Sequence, residues 1–280
     1  MHIVVCIKQV PDSAQIRVHP VTNTIMRQGV PTIINPYDLF SLEEALRLRD
    51  AFGGKVTVLT MGPPMADQAL RKALSIGADA AVLLSDRFFA GSDTLATSFA
   101  LSSAIAKLAE TEKVDMVFCG KQTIDGDTAQ VGPGIAKRLE LNQLTYVEKI
   151  RAVDPVAGKI TVERRAEGGV QVLTTALPCL ITMLEGTNTV RRGTMADMLR
   201  AAQTQITTWN AAAAGIADIG LCGLKGSPTV VKKVFAPQPR KEKATLIEAG
   251  KDGDLAAAAL RALFAADSRL EETLFRQTGA

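Results

Sequence analysis

Five short runs rich in Val, Ile and Leu recur along the chain, at residues 2–8, 56–61, 80–84, 114–119 and 180–183. Their apolar positions are nearly continuous rather than alternating, as in strands buried on both faces of a parallel sheet. Between them, residues 37–52, 65–76, 93–108 and 128–139 carry apolar side chains at three- and four-residue spacing, which predicts helices with one buried face. Strands alternating with helices predict an α/β fold built on a doubly wound, mostly parallel sheet.

Two segments break this rhythm. Residues 16–27 alternate around a Pro20-Val-Thr-Asn turn, and residues 159–165 and 170–174 alternate around Gly168-Gly169. Both predict β-hairpins added outside the main sheet. The chain therefore divides into a core of residues 1–185, an extended arm of residues 186–210 with a helix starting near Met195, and a C-terminal extension of residues 211–280. That extension is rich in Gly, Pro and Lys, includes Arg240-Lys-Glu-Lys, and ends in an Ala-rich helix near residues 254–266. Such composition packs poorly alone and more often lies along another surface.

Composition narrows the chemistry. With 280 residues, 47% of them hydrophobic, the chain can fill a sizeable core. Net charge is +3 from 32 basic and 29 acidic side chains, and 4% are aromatic. That leaves neither a basic footprint nor a stacking surface for nucleic acid. Only His2 and His19 are histidines, which argues against catalytic triads and most zinc sites. The four cysteines are widely spaced, three of them inside apolar runs, as expected of buried reduced thiols. No apolar run approaches ~18 residues and Met1 leads directly into a strand, so a cytoplasmic protein with no membrane span is expected.

Candidate chemistry concentrates in residues 114–139, which read as a buried strand, a small polar loop and a helix start. A loop at the end of a parallel strand can turn bare N–H groups toward a phosphate, reinforced by the N-terminus of the next helix. Gly120, Gly126, Gly132 and Gly134 crowd this span, at an entropic cost that suggests close approach. The spacing matches neither GxGxxG nor the P-loop. A ligand-free alternative stands beside it, because Asp127 and Gln130 satisfy a capping-box pattern. Asp125 and Asp127 suit caps or ribose acceptors better than phosphate contacts. Asn35 and Pro36 read as an N-cap and a first helical position, or as part of a ligand crevice at the carboxyl ends of the strands. Residues 60–63 and 91–94 supply two more polar turns on that edge. Arg191, Arg192, Met195 and Met198 in the arm fit either a solvated segment or a partner-docking element in which Met packs adaptably.

Cys6-Ile-Lys-Gln-Val-Pro-Asp, Asn35-Pro-Tyr-Asp, Met61-Gly-Pro, Gly77-Ala-Asp and Gly120-Lys-Gln-Thr-Ile-Asp-Gly-Asp-Thr-Ala-Gln-Val-Gly-Pro together resemble the β subunit of electron transfer flavoproteins, over residues 1–239. The resemblance implies an electron-carrying subunit with no catalytic side chain, paired with a larger α subunit that holds an FAD and receives part of the C-terminal extension. It implies an adenine nucleotide bound by Cys6, Asn35, Pro36, Tyr37, Asp38, Met61, Thr94, Gly120, Lys121, Gln122, Thr123, Ile124, Asp125, Gly126, Asp127, Thr128, Ala129, Gln130 and Val131.

In one mode of the family that nucleotide is AMP, and electrons pass from acyl-CoA dehydrogenases to a quinone oxidoreductase. In the other it is a second FAD, reduced by NADH. Gly91-Ser-Asp-Thr-Leu-Ala-Thr, Leu184-Glu-Gly-Thr-Asn and Gly226-Ser-Pro-Thr-Val-Val resemble the second, bifurcating mode and its Fix type, associated with nitrogen fixation. That type implies a membrane-associated quinone oxidoreductase and a ferredoxin-like protein as acceptors. The arm corresponds to the family's partner-recognition loop, with Met195 where relatives can carry Leu. An ATP-using enzyme is the competing class, but the chain has neither a Ser-Gly-Gly-x-Asp-Ser loop nor a Walker lysine motif.

Overall fold

A computed structural model describes residues 1–12, 17–18, 25–26, 31–232, 254–267 and 269–270. Contacts divide the chain into two units, Met1–Phe235 and Ala236–Ala280. In the first unit, β1 (His2–Cys6) is followed by two small antiparallel pairs: β2 (Gln9–Pro11) with β5 (Thr32–Ile34), and β3 (Arg17–Val18) with β4 (Ile25–Met26). The second pair forms where the first hairpin is expected, and its turn lies outside the described residues.

The chain then runs through α1 (Pro36–Phe52), β6 (Lys55–Met61), α2 (Asp67–Ile76), β7 (Ala80–Leu84), α3 (Thr94–Thr111), β8 (Met116–Gly120) and α4 (Val131–Arg138). It continues through β9 (Asn142–Asp154), β10 (Lys159–Ala166), β11 (Gly169–Ala176), β12 (Cys179–Met183), α5 (Met195–Gln203) and β13 (Thr207–Trp209). In the second unit the described helix is α6 (Leu255–Ala266), opened by the Asp254 carboxylate, which accepts from the Ala257 N–H at 3.0 Å.

Among the described residues the main sheet has nine strands in the order β11-β10-β9-β12-β8-β1-β6-β7-β13. From β9 to β13 every pairing is parallel, and β9-β10-β11 is antiparallel. The second hairpin is therefore not an excursion: β9 pairs with β12 and joins it to the main sheet. β9 was not expected, because its 13 residues bury few side chains and carry no Val/Ile run.

Alternate residues of the central strands feed two cores. Ile3, Val5, Val56, Val58, Met116 and Phe118 pack with α1 and α2 on one face. Val4, Cys6, Leu59, Val82, Val117 and Cys119 pack with α3 and α4 on the other. Burial on both faces accounts for the unbroken apolar runs. β1 leads to its neighbour β6 on one side, while β8 returns to its other side. The strand order thus reverses between β1 and β8, and a crevice outside their carboxyl ends is where open α/β sheets bind ligands. β11 ends the sheet, with Val170, Val172 and Leu173 exposed.

Candidate functional site

At the reversal point the ends of β1 and β8 are tied by one carboxylate. Asp38, in the first turn of α1, accepts the Lys8 N–H at 2.8 Å on one oxygen and the Gly120 N–H at 3.1 Å on the other. It is 5% exposed, and burial pushes its carboxyl up to about 7, against the pull of hydrogen bonds from Asn35, Lys8 and Gly120. A Cβ on Gly120 would fall against Asp38 Oδ1 and 2.6 Å from Tyr37 Cβ, so the tie requires glycine. Both Asp38 oxygens are thereby engaged by backbone N–H groups inside the protein. Beneath it, Cys6 and Cys119 face each other in register. The Cys6 hydrogen bond and burial raise the Cys119 thiol well above its usual range, so it stays protonated.

Asn35 holds the loop over this edge. Its Nδ2 donates to the Gln122 carbonyl at 2.9 Å and its Oδ1 accepts the Ile124 N–H at 3.1 Å. Asn35 precedes α1 and Pro36 opens the helix, but the Asn35 side chain makes no capping bond, so its cap reading is corrected. Lys8 Nζ reaches both Asp125 oxygens at 2.8 Å. Burial opposes the Asp125 charge, but the Lys8 and Thr123 hydrogen bonds outweigh it and hold the carboxyl below its usual range. Gln122 Nε2 donates to Asp127 Oδ1 at 2.8 Å. Asp125, Gly126, Asp127 and Thr128 are exposed along the loop's outer side.

The capping-box alternative fails. Asp127 and Ala129 have φ of 50° and 55°, and α4 starts at Val131 rather than near Thr128. Gln130 instead accepts the Thr94 hydroxyl at 2.8 Å on its Oε1, joining the N-termini of α3 and α4 at the crevice. The glycine cluster separates by role. Gly132 and Gly134 let α4 approach Thr182 and Ser98, each 2.8 Å from an added Cβ, whereas Gly126 meets only Thr123 Oγ1 at 3.4 Å.

Lys121 Nζ lies 5.7 Å from the Tyr37 ring and 5.4 Å from the Tyr146 ring, between two aromatic faces. Beside it opens a pocket of about 440 Å³ lined by Lys121, Ala129, Thr145, Tyr146, Arg164 and other residues of β9–β12 and α4. Tyr146 sits at a bulge in β9 with φ of 58°. Met61 ends β6 on the same edge of the sheet, packed against the second core. The crevice thus gathers Cys6, the Asn35 turn, Met61, Thr94 and residues 120–131. Sequence reasoning missed Lys8, Tyr146 and Arg164; Lys8 stood at the end of the first apolar run, while Tyr146 and Arg164 lay on strands without such a signal. Among the described residues no cluster of three His, Cys, Asp or Glu could hold a metal.

The arm is partly turned inward. Arg191 donates to the buried Glu43 from its backbone N–H at 3.0 Å, from Nε at 2.9 Å and from Nη2 at 3.1 Å, and to Asp50 from Nη1 at 2.6 Å. Its guanidinium fastens the arm to α1. Arg192 lines a cleft of about 560 Å³ at the arm's root, with Arg49, Asp79 and Arg200. α5 carries a capping box of Thr194 with Asp197 and exposes Met195, Met198 and Leu199 at three- and four-residue spacing.

The sheet thus reverses its strand order at a loop-lined crevice, and the arm beyond it carries a helix with exposed apolar side chains. The electron transfer flavoprotein domain model matches residues 22–214. The chain is 68% identical over 277 residues to "Protein FixA" of Sinorhizobium fredii, covering 98% of this chain and 97% of that protein. It is 66% identical over 280 residues to "Protein FixA" of Azotobacter vinelandii, covering 99% of each. Against "Electron transfer flavoprotein subunit beta" of Clostridium acetobutylicum it is 48% identical over 233 residues, covering 83% of this chain and 87% of that protein. The chain belongs to the electron transfer flavoprotein family. It is a β-type electron transfer protein, an electron-carrying subunit rather than an enzyme in its own right. No helix among the described residues is long and apolar enough to cross a membrane.

Proposed function

We propose that this chain holds an FAD in the crevice between β1 and β8 and, paired with a larger α subunit, passes electrons from NADH to a quinone oxidoreductase and to a ferredoxin-like carrier. The observation that carries this reading is the Thr94–Gln130 bond, which brings two helix N-termini to the edge where Asn35 pins the loop. Two such N-termini favour a ligand with more than one phosphate. The pocket shared by Lys121 and Ala129 offers room beyond a mononucleotide. Cys6, Asn35, Pro36, Tyr37, Met61 and residues 120–131 would line the adenosine and pyrophosphate. Bound there, FAD supplies the hydride and single-electron chemistry, and the chain supplies position and electrostatics.

The Fix-type resemblance supports a role in supplying reductant for nitrogen fixation, in the cytoplasm. Residues 186–210 serve as the docking arm through Met195 and Met198, and the C-terminal extension packs on the α subunit. The heterodimer purified intact decides the cofactor: about two FAD per αβ pair supports the proposal, whereas one FAD with one AMP overturns it.

A further inference from the structure

We propose that Asp38 is a positioning residue, which clasps the ends of β1 and β8 at the spacing the nucleotide needs without touching the nucleotide itself. This rests on the FAD reading of the crevice. Asp38 Oδ2 holds the Lys8 N–H and Oδ1 holds the Gly120 N–H, and these residues stand on opposite sides of the reversal point. Asn35, the residue that brackets the loop at Gln122 and Ile124, also hydrogen bonds to Asp38. One carboxylate therefore sets the width of the crevice floor and the height of the loop above it. Close packing of Gly120 against Asp38 and Tyr37 leaves the floor no slack.

The clasp works fully only in the ionised form. A carboxylate accepts on both oxygens, whereas a protonated acid turns one oxygen into a donor and faces an N–H with it. Burial places the carboxyl near 7, so the clasp loosens as pH falls through that value. Lys8 is paired with Asp125, whose carboxyl is held below its usual range. The Cys119 thiol and the Tyr37 hydroxyl are both raised above theirs. With a binding-competent state that is the ionised one, apparent affinity falls with its population, about tenfold between pH 8 and pH 6.

The test measures FAD affinity of the β site in the αβ heterodimer at pH 6 and pH 8, for wild type and Asp38→Asn. FAD suits it because its pyrophosphate has no ionisation in this range, unlike the second ionisation of a monophosphate near 6. Wild type is expected to lose about tenfold in affinity at pH 6. Asp38→Asn is expected to bind at least about tenfold more weakly at pH 8 and to show a flat profile, because an amide cannot accept on both sides. Equal affinity in the variant, a flat wild-type profile, or tighter wild-type binding at pH 6 each overturns the clasp. Should Asp38→Asn fail to fold, the wild-type profile alone decides. Absence of FAD from the wild-type β site at both pH values overturns the cofactor reading, and the clasp with it.

Discussion

Arg191 and Glu43, 148 positions apart, meet through three hydrogen bonds of 2.9 to 3.1 Å, and Glu43 is 3% exposed. Removing the guanidinium leaves a buried carboxylate that keeps the residue-191 backbone N–H at 3.0 Å and Arg47 at 3.1 Å. Arg191→Ala is expected to cost about 3 kcal/mol, read as a lower urea midpoint. Amide exchange in α5 should rise with it; an unchanged midpoint would show that Arg191 does not hold the arm.

Met195 and Met198 carry no such internal duty, with 71% and 47% exposure. Met195→Glu is expected to leave stability within about 0.5 kcal/mol and nucleotide content unchanged. Reduction of the downstream oxidoreductase should slow. Equal partner kinetics at fixed salt would remove α5 from the docking surface.

Gly120 and Gly126 make a matched pair. Gly120→Ala forces a methyl against Asp38 and Tyr37 and is expected to cost about 1–3 kcal/mol and most β-site nucleotide. Gly126→Ala meets only ordinary contact and should leave both near wild type. Denaturation midpoints and nucleotide-to-protein ratios on the two variants check this; equal losses would mean that the close approach at Gly120 is unimportant.

Replacing Asp127 or Thr128 with a bulky apolar residue is expected to lower β-site occupancy while the α flavin stays bound. Asn35→Ala should do the same and also destabilise, by about 1–3 kcal/mol, because it strands the Gln122 carbonyl and Ile124 N–H. Full flavin content in all three variants would exclude the loop as the nucleotide site.

His2 gives a pH signature of its own. Burial chiefly holds its imidazole below the ordinary 6.5, and its Nε2 lies 2.9 Å from Thr57 Oγ1. The unfolded chain takes up the proton first, so this contribution to stability is present above 6.5 and lost as pH falls below it. Asp38 acts with the opposite sign: its folded value near 7 exceeds the unfolded 3.8, so its contribution grows as pH falls from 7. Between pH 7.5 and 5.5, His2→Gln should therefore lose less stability than wild type, by urea midpoint. An equal loss would assign the acid sensitivity elsewhere.

The parallel strands were legible because burial on both faces writes itself as unbroken Val and Ile. β9 was not: it is covered on one face, and its Glu148, Lys149 and Arg151 interrupt any run. The glycine-rich loop marked the site, but its working parts are contacts across 82 to 117 residues, such as Gly120 with Asp38 and Lys8 with Asp125. No local pattern encodes such distances. Asn35 carries the sequence of a cap and spends its side chain on the loop. Asp127 and Ala129 adopt left-handed backbone without being glycine, which is why the expected start of α4 came three residues early.

β11 has β10 as its one described neighbour and leaves its other rim of N–H and C=O groups toward solvent, beside exposed Val170, Val172 and Leu173. A long apolar rim of this kind is a template for adding strands from other copies. Left uncovered, the β11 rim would recruit further copies of the chain, so a cover over this one edge guards the protein against aggregation.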